Sequence, residues 1–513
     1  MPVPRGAVTV DRVHQGFQRG DAYPTGAARA VPSYEEDPRF PAMPASPADW
    51  RYRPPPAPSW WHRHSGTLRP LAVVGLLTLC GLMILALVRE QTGTQGLFVG
   101  LALALLPVPL LLGAFRWVDG VEPAPWRNLA FAFAWGACAA TLVALLANSL
   151  TTAWLATSMN GDGSRADTVG STVVAPVVEE VAKAGAILLL YLFRRRDFTG
   201  VVSGLVVAGV TATGFAFTEN VLYLGSAYGQ DTAFGGPSAL AESATATTFF
   251  VRVVLSPFAH PLFTALTGLA FGVAAGLPPQ RRTARVLLPL GGLLAATVLH
   301  SVWNGAASGA GATFMSVYAL CMLPACAALA WLAVRSRQHT VRTLRRTLPA
   351  YAAAGWLSVP EAWALASMRA RGLAREYARR THGAEGARTV LEYQHFATSL
   401  ALLRARAERG AGAPDFVARE QELLHHLWTR RALATPPTEH AALVLAGPAY
   451  PAPAWGPVPG PYGPPPPGGA PYAGPPYAGP PYGSAPYGGA PYARGASMPY
   501  GPPGSGTGPP PYG

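Results

Sequence analysis

From residue 70 to residue 334 the chain is a succession of apolar runs, at about 70–88, 96–115, 128–148, 170–193, 200–225, 250–276, 286–304 and 313–334. Each is near the ~20 residues that a helix needs to cross the hydrocarbon core of a bilayer. The sequence therefore specifies an all-α polytopic membrane protein of about eight transmembrane helices, with disordered termini. Composition agrees, since half of the 513 residues are hydrophobic and only 13% are charged. In such a chain the net charge of +13 reads as basic loops on one side of a membrane, with no nucleic-acid partner.

Loop charge sets the orientation. Arg194–Arg196, Arg281, Arg282 and Arg285, and the cluster from Arg335 to Arg346 fall on one side if the helices simply alternate. Loops 149–169 and 226–249, on the other side, carry Asp162, Asp167, Asp231 and Glu242 with few basic residues. An excess of positive charge marks the cytoplasmic face, so both termini are expected in the cytoplasm and the chain in the plasma membrane. The first 69 residues contain no apolar h-region, and insertion is expected to start from an internal segment.

Four regions follow. Residues 1–66, rich in Pro, Arg and Ala, read as a disordered cytoplasmic N-terminal region. Residues 67–335 form the eight-helix domain. Residues 336–435 interleave Leu, Ala and Trp with Arg and Glu, the pattern of a cytoplasmic helical region. Residues 436–513 form a Pro/Tyr/Gly low-complexity tail, expected to be disordered. Cys80, Cys138, Cys321 and Cys326 lie in apolar runs without disulfide or zinc-knuckle spacing. His425 and His426 point about 100° apart on a helix and read as a solvated face.

The run 170–193 contains Glu179, Glu180 and Lys183. Each charge costs about 2.5–3.5 kcal/mol at the centre of a membrane helix, so these three should face a bundle interior. Lys183 is i+4 from Glu179 and i+3 from Glu180, placing all three on one face. It can neutralise one carboxylate and leave the other for chemistry; Glu180 is assigned the general base and Glu179 the partner held by Lys183. Three further runs carry polar residues: Glu219 and Asn220 in the fifth; His260, Thr264 and Gly268 in the sixth; Thr297, His300, Trp303 and Asn304 in the seventh. Convergence on one pocket, opening toward the outer face, is the economical arrangement. Gly268, Gly272 and Gly276 give the sixth run a small-residue face suited to close helix contact.

Glutamate with histidine is equipment for activating water. One carboxylate can act as base while His260 and His300 orient water or an oxyanion and Asn304 orients or stabilises. Alternatively His260, His300 and a carboxylate, Glu219 or Glu179, hold a Zn2+ ion beside a second glutamate as base. A different class, a transporter or proton-coupled channel, would use the same carboxylates as a relay. Such folds are usually built from paired repeats, and none relates the first four runs to the last four.

Taken together, Glu179-Glu180-x-x-Lys183, Phe215-x-x-x-Glu219-Asn220, His260 at the opening of the sixth run, and His300-x-x-Trp303-Asn304 resemble the four motifs of the PrsW family of intramembrane proteases. That family is similar to the CAAX prenyl endopeptidase group. The turn with Asp119, Glu122 and Pro123 resembles that of actinobacterial members. The likeness covers about residues 70–335. It implies an intramembrane endopeptidase that cleaves a membrane-anchored, anti-sigma-factor-like protein with a site in the outer half of the bilayer. It also implies site residues Glu179, Glu180, Glu219, His260 and His300, and a metalloprotease by family naming.

Overall fold

The computed structural model describes residues 41–44, 46, 49, 50, 52, 60–158, 163–195, 197–233, 235–237, 239–309, 311–411 and 415–446. Among them every regular element is helical. The helices used below are α1 (Trp60–Leu105), α2 (Pro107–Val118), α3 (Trp126–Ala134), α4 (Thr141–Ser158), α5 (Gly163–Val169), α6 (Ala175–Phe193), α7 (Val201–Ala233), α8 (Ala244–Phe249), α9 (Ala259–Gly276) and α10 (Arg282–Ala307). They are followed by α11 (Gly311–Val317), α12 (Leu323–Ala353), α13 (Val359–Leu365), α14 (Met368–Arg406) and α15 (Phe416–Ala446). Several are joined end to end through π-helical turns, at Trp135–Ala140, Gly170–Val174, Phe250–Leu255 and Tyr318–Met322. Such turns widen one helical loop and re-aim the side chains beyond it.

Among the described residues, six helical segments are long and apolar enough to cross a membrane. One of them, Leu68–Val121, has 54 residues, about 80 Å of helix and well beyond one bilayer core. It is interrupted at Gly93, whose φ of 71° is left-handed and breaks the helix. α6 has 19 residues and stands outside the six because of Glu179, Glu180 and Lys183. The expected count of eight thus requires Leu68–Val121 to cross twice and α6 to cross once.

α7 is the axis of the membrane domain. It is buried on all sides from Ser203 to Ala216, as a helix surrounded by other helices must be. Small residues make this packing close. A Cβ added at Gly204 would run into the backbone of Gly268, and one at Gly272 would meet Val201 and Gly200, so α7 and α9 touch backbone to backbone. This fixes the spacing of the two helices that carry Glu219 and His260.

α12 continues beyond bilayer length, and its last turns join α13–α15 around Leu344, Leu348, Tyr351, Tyr393, Leu400 and Leu424. Arg404 donates to Glu420, which also accepts from the Tyr351 hydroxyl, so this buried carboxylate is compensated within the second core. α13 opens on a capping box between Ser358 and Glu361. α15 runs through Pro436 and Pro437 to Ala446, so helix extends past the residue where the low-complexity composition begins. Parts of residues 41–52 pack on the same core. Trp50 donates from Nε1 to His425 Nδ1 at 3.0 Å, and its ring lies against Trp356 and Trp428. His425 is thus a partner of Trp50, and His426 stacks on Phe396.

The second core is tied to the membrane domain by arginines. Arg371 donates to Val121 O, Arg406 to Thr199 O and Arg337 to Trp117 O. Of the residues expected to be disordered, 1–66 and 436–513, those at 1–40 and 447–513 fall outside the described residues.

Candidate active site

α6 is positioned by the π-turn Gly170–Val174 before it and by Trp135, whose Nε1 donates to Ala182 O at 2.9 Å. The buried side of α6 holds Pro176, Glu179, Glu180 and Lys183. Lys183 Nζ lies 2.9 Å from Glu180 Oε1 and 3.3 Å from Glu179 Oε2. It also lies 3.1 Å from His260 Nδ1 and over the Phe215 ring.

The two glutamates differ. Glu180 is fully enclosed: Oε1 receives Lys183 and His300 Nδ1, and Oε2 receives Thr264 Oγ1 at 2.8 Å. Glu179 has Lys183 as its close partner and lines a cavity of about 710 Å3 together with Glu219, Tyr223, Arg252 and His260. The sequence reading gave the base's part to Glu180 and the ion pair to Glu179. In the structure three of the roughly four lone-pair sites of the enclosed Glu180 are engaged, while Glu179 lines the cavity.

His260 and His300 are oriented alike. An ammonium can only donate, so His260 Nδ1 accepts from Lys183, and Nε2–H donates to Glu219 Oε2 at 2.6 Å. His300 donates from Nδ1 to Glu180 and turns Nε2 toward Glu179 Oε2, 3.9 Å away. Phe263 stacks on the His300 ring. Each imidazole therefore gives its N–H to a carboxylate and its lone pair to the cluster, the arrangement that metal-binding histidines use.

Glu219 is gripped by Arg252 Nη1 and Nη2 at 3.2 and 3.3 Å. Arg252 also donates to Asn220 Oδ1 and lies over the Tyr223 ring. Asn220 thus reaches the cluster only through Arg252. Asn304 stands apart, donating to Ser171 O on the cavity's rim. Arg252 was missed in the sequence, although a lone arginine beside the apolar stretch 253–276 is the kind of charge that marks a site.

Three carboxylates (Glu179, Glu180, Glu219) face two permanent cations (Lys183, Arg252), leaving one negative charge for a proton or a cation to balance. Ligand atoms of Glu179, His260 and His300 all lie within 4.8 Å of one another. Two imidazoles and a carboxylate with an open side is a donor set that suits zinc. Lys183 hydrogen-bonds two of these three groups, so its ammonium and a dication contend for the same lone pairs. Of the two carboxylates, it is Glu179 whose oxygen lies in this cluster, while Glu219 accepts from His260 Nε2.

No curated protein and no solved structure matches the chain. Residues 124–329 match the family model described as PrsW family intramembrane metalloprotease, and every site residue above lies inside that stretch. Over residues 124–329, about two-fifths of its length, the chain is similar to the PrsW family of intramembrane metalloproteases.

Proposed function

We propose that the chain hydrolyses a peptide bond of a membrane-anchored protein, with water activated at Glu179 on the wall of the 710 Å3 cavity. The observation that carries this reading is the inequality of the two glutamates: Glu180 is closed in by three side-chain contacts, to Lys183, His300 and Thr264, while Glu179 lines the cavity. Glu179 takes the proton of the attacking water and passes it to the leaving amine, so that the carboxylate is restored. Lys183 holds Glu179 in place and compensates the charge of Glu180. Glu180 and Glu219 keep His300 and His260 pointing at the same spot. Arg252 and Asn220 line the same cavity and supply donors for the oxygen of the substrate carbonyl.

A zinc ion held by Glu179, His260 and His300 would supply a more acidic water and a polarised carbonyl. The anti-sigma-factor-like substrate rests on the family likeness. A site open toward the outer face of the plasma membrane, with eight crossings and both termini in the cytoplasm, rests on the apolar runs and on loop charge.

Comparison of membrane-anchored fragments in cells carrying wild type or Glu179→Gln tests the activity. Fragments present with wild type and absent with the variant are the expected result. Identical fragment sets would refute it.

A further inference from the structure

A second cavity, of about 400 Å3, lies between the ends of the membrane helices and the α13–α15 core. Its floor is apolar, with Val118, Val201 and Leu277 beside Gly276. Its opposite wall is basic, formed by Arg337 from α12 and by Arg406 and Arg409 from the end of α14 and the turn beyond. Among the described residues none of these three guanidiniums is within ion-pair distance of a carboxylate. Arg337 and Arg406 are instead anchored by single donations to the backbone oxygens of Trp117 and Thr199.

One carboxylate, Glu122, shares the cavity, hydrogen-bonded by Thr199 Oγ1. Burial pushes its carboxyl up from the ordinary value, against the opposing pull of Arg406 and of Thr199. Its charge is therefore given up more readily than that of an exposed glutamate, and the cavity keeps an excess of positive charge. Arginines that only satisfy the loop charge bias extend into water. These three line a cavity whose floor is the apolar end of the membrane helices.

We propose that this cavity binds the phosphate of an anionic phospholipid, with the glycerol and first acyl carbons over Val201, Leu277 and Gly276. Guanidinium groups recognise phosphate by charge and by paired donors, and basic recesses between membrane helices hold anionic headgroups on the arginine-rich side. The site is separate from the Glu179 cluster and does not depend on proteolysis.

The test is lipid retention by the full chain in detergent, read by native mass spectrometry. The protein is supplied with phosphatidylglycerol, phosphatidylcholine or millimolar inorganic phosphate. Wild type is expected to retain phosphatidylglycerol over phosphatidylcholine by roughly tenfold or more. The pair Arg406→Gln and Arg409→Gln should abolish the preference. The pair Arg379→Gln and Arg380→Gln, at exposed arginines already bridged to Glu376, should leave it intact. Gly276→Leu keeps every arginine and should still fold, since a Cβ there meets no atom within 4 Å; its side chain would fill the floor and expel the lipid. The proposal is overturned by no preference in wild type, by a preference that survives both the Arg406/Arg409 pair and Gly276→Leu, or by equal loss in the control pair. Binding of inorganic phosphate without lipid retention would overturn it as well.

Discussion

His260 Nε2 lies 2.6 Å from Glu219 Oε2, and Arg252 grips the same carboxylate from its other side. The three residues come from α9, α7 and the π-turn before α9, so the direction of the imidazole is set across elements and not by its own helix. Glu219→Gln should insert and accumulate normally while turnover falls about ten- to a hundredfold, the usual cost of losing an orienting carboxylate. Arg252→Lys should retain more activity than Arg252→Gln, because it keeps the charge and loses only the fork. Equal, near-normal turnover for all three variants would remove the orienting role.

Lys183 is fully buried against two carboxylates. Lys183→Met should destabilise the protein by about 3–5 kcal/mol, because it leaves buried charge uncompensated. Adding Glu180→Gln should recover part of that loss. Thermal melts in detergent of the two single variants and the double variant measure the coupling, and strictly additive shifts would contradict it.

Tags at residues 1 and 513 should both be cytoplasmic, and a reporter in loop 226–249 should lie outside. The arginines of loops 194–197 and 277–285 motivate this arrangement. Protease protection in spheroplasts reads it directly. An external C-terminus would reverse the side to which the Glu179 cavity opens.

Trp50 joins the N-terminal segment to α15 through His425 and Trp428, and to the turn between α12 and α13 through Trp356. Trp50→Ala should expose residues 41–52 to limited proteolysis and cost about 1–3 kcal/mol in the stability of the α13–α15 core. Unchanged cleavage would mean that the segment is held by other contacts, such as the donation of Met43 N to Ala354 O.

The membrane class and the partners in the site were legible because both rest on local rules. An apolar run of bilayer length has few alternatives, and charges within such runs must find one another. Glu179, Glu180, Lys183, Glu219, His260 and His300 meet as that rule requires. The division of labour between Glu179 and Glu180 was not legible. They are neighbours in sequence, and only Thr264 and His300, from α9 and α10, decide which one is closed off. Arg252 escaped for a similar reason: its meaning lies in contacts with Glu219 and Tyr223, about thirty residues earlier in the chain. The docking of Trp50 on His425 bridges 375 residues, and no periodicity in either segment could announce it.

The most direct test compares Glu179→Gln with Glu180→Gln in purified, detergent-solubilised protein acting on a cleaved membrane fragment's parent. Both variants should remain folded, since glutamine keeps the volume and most hydrogen bonds of either side chain. Glu179→Gln should abolish cleavage, while Glu180→Gln, which only misorients His300, should leave a residual rate about ten- to a hundredfold below wild type. Near-normal cleavage by Glu179→Gln would contradict water activation at Glu179.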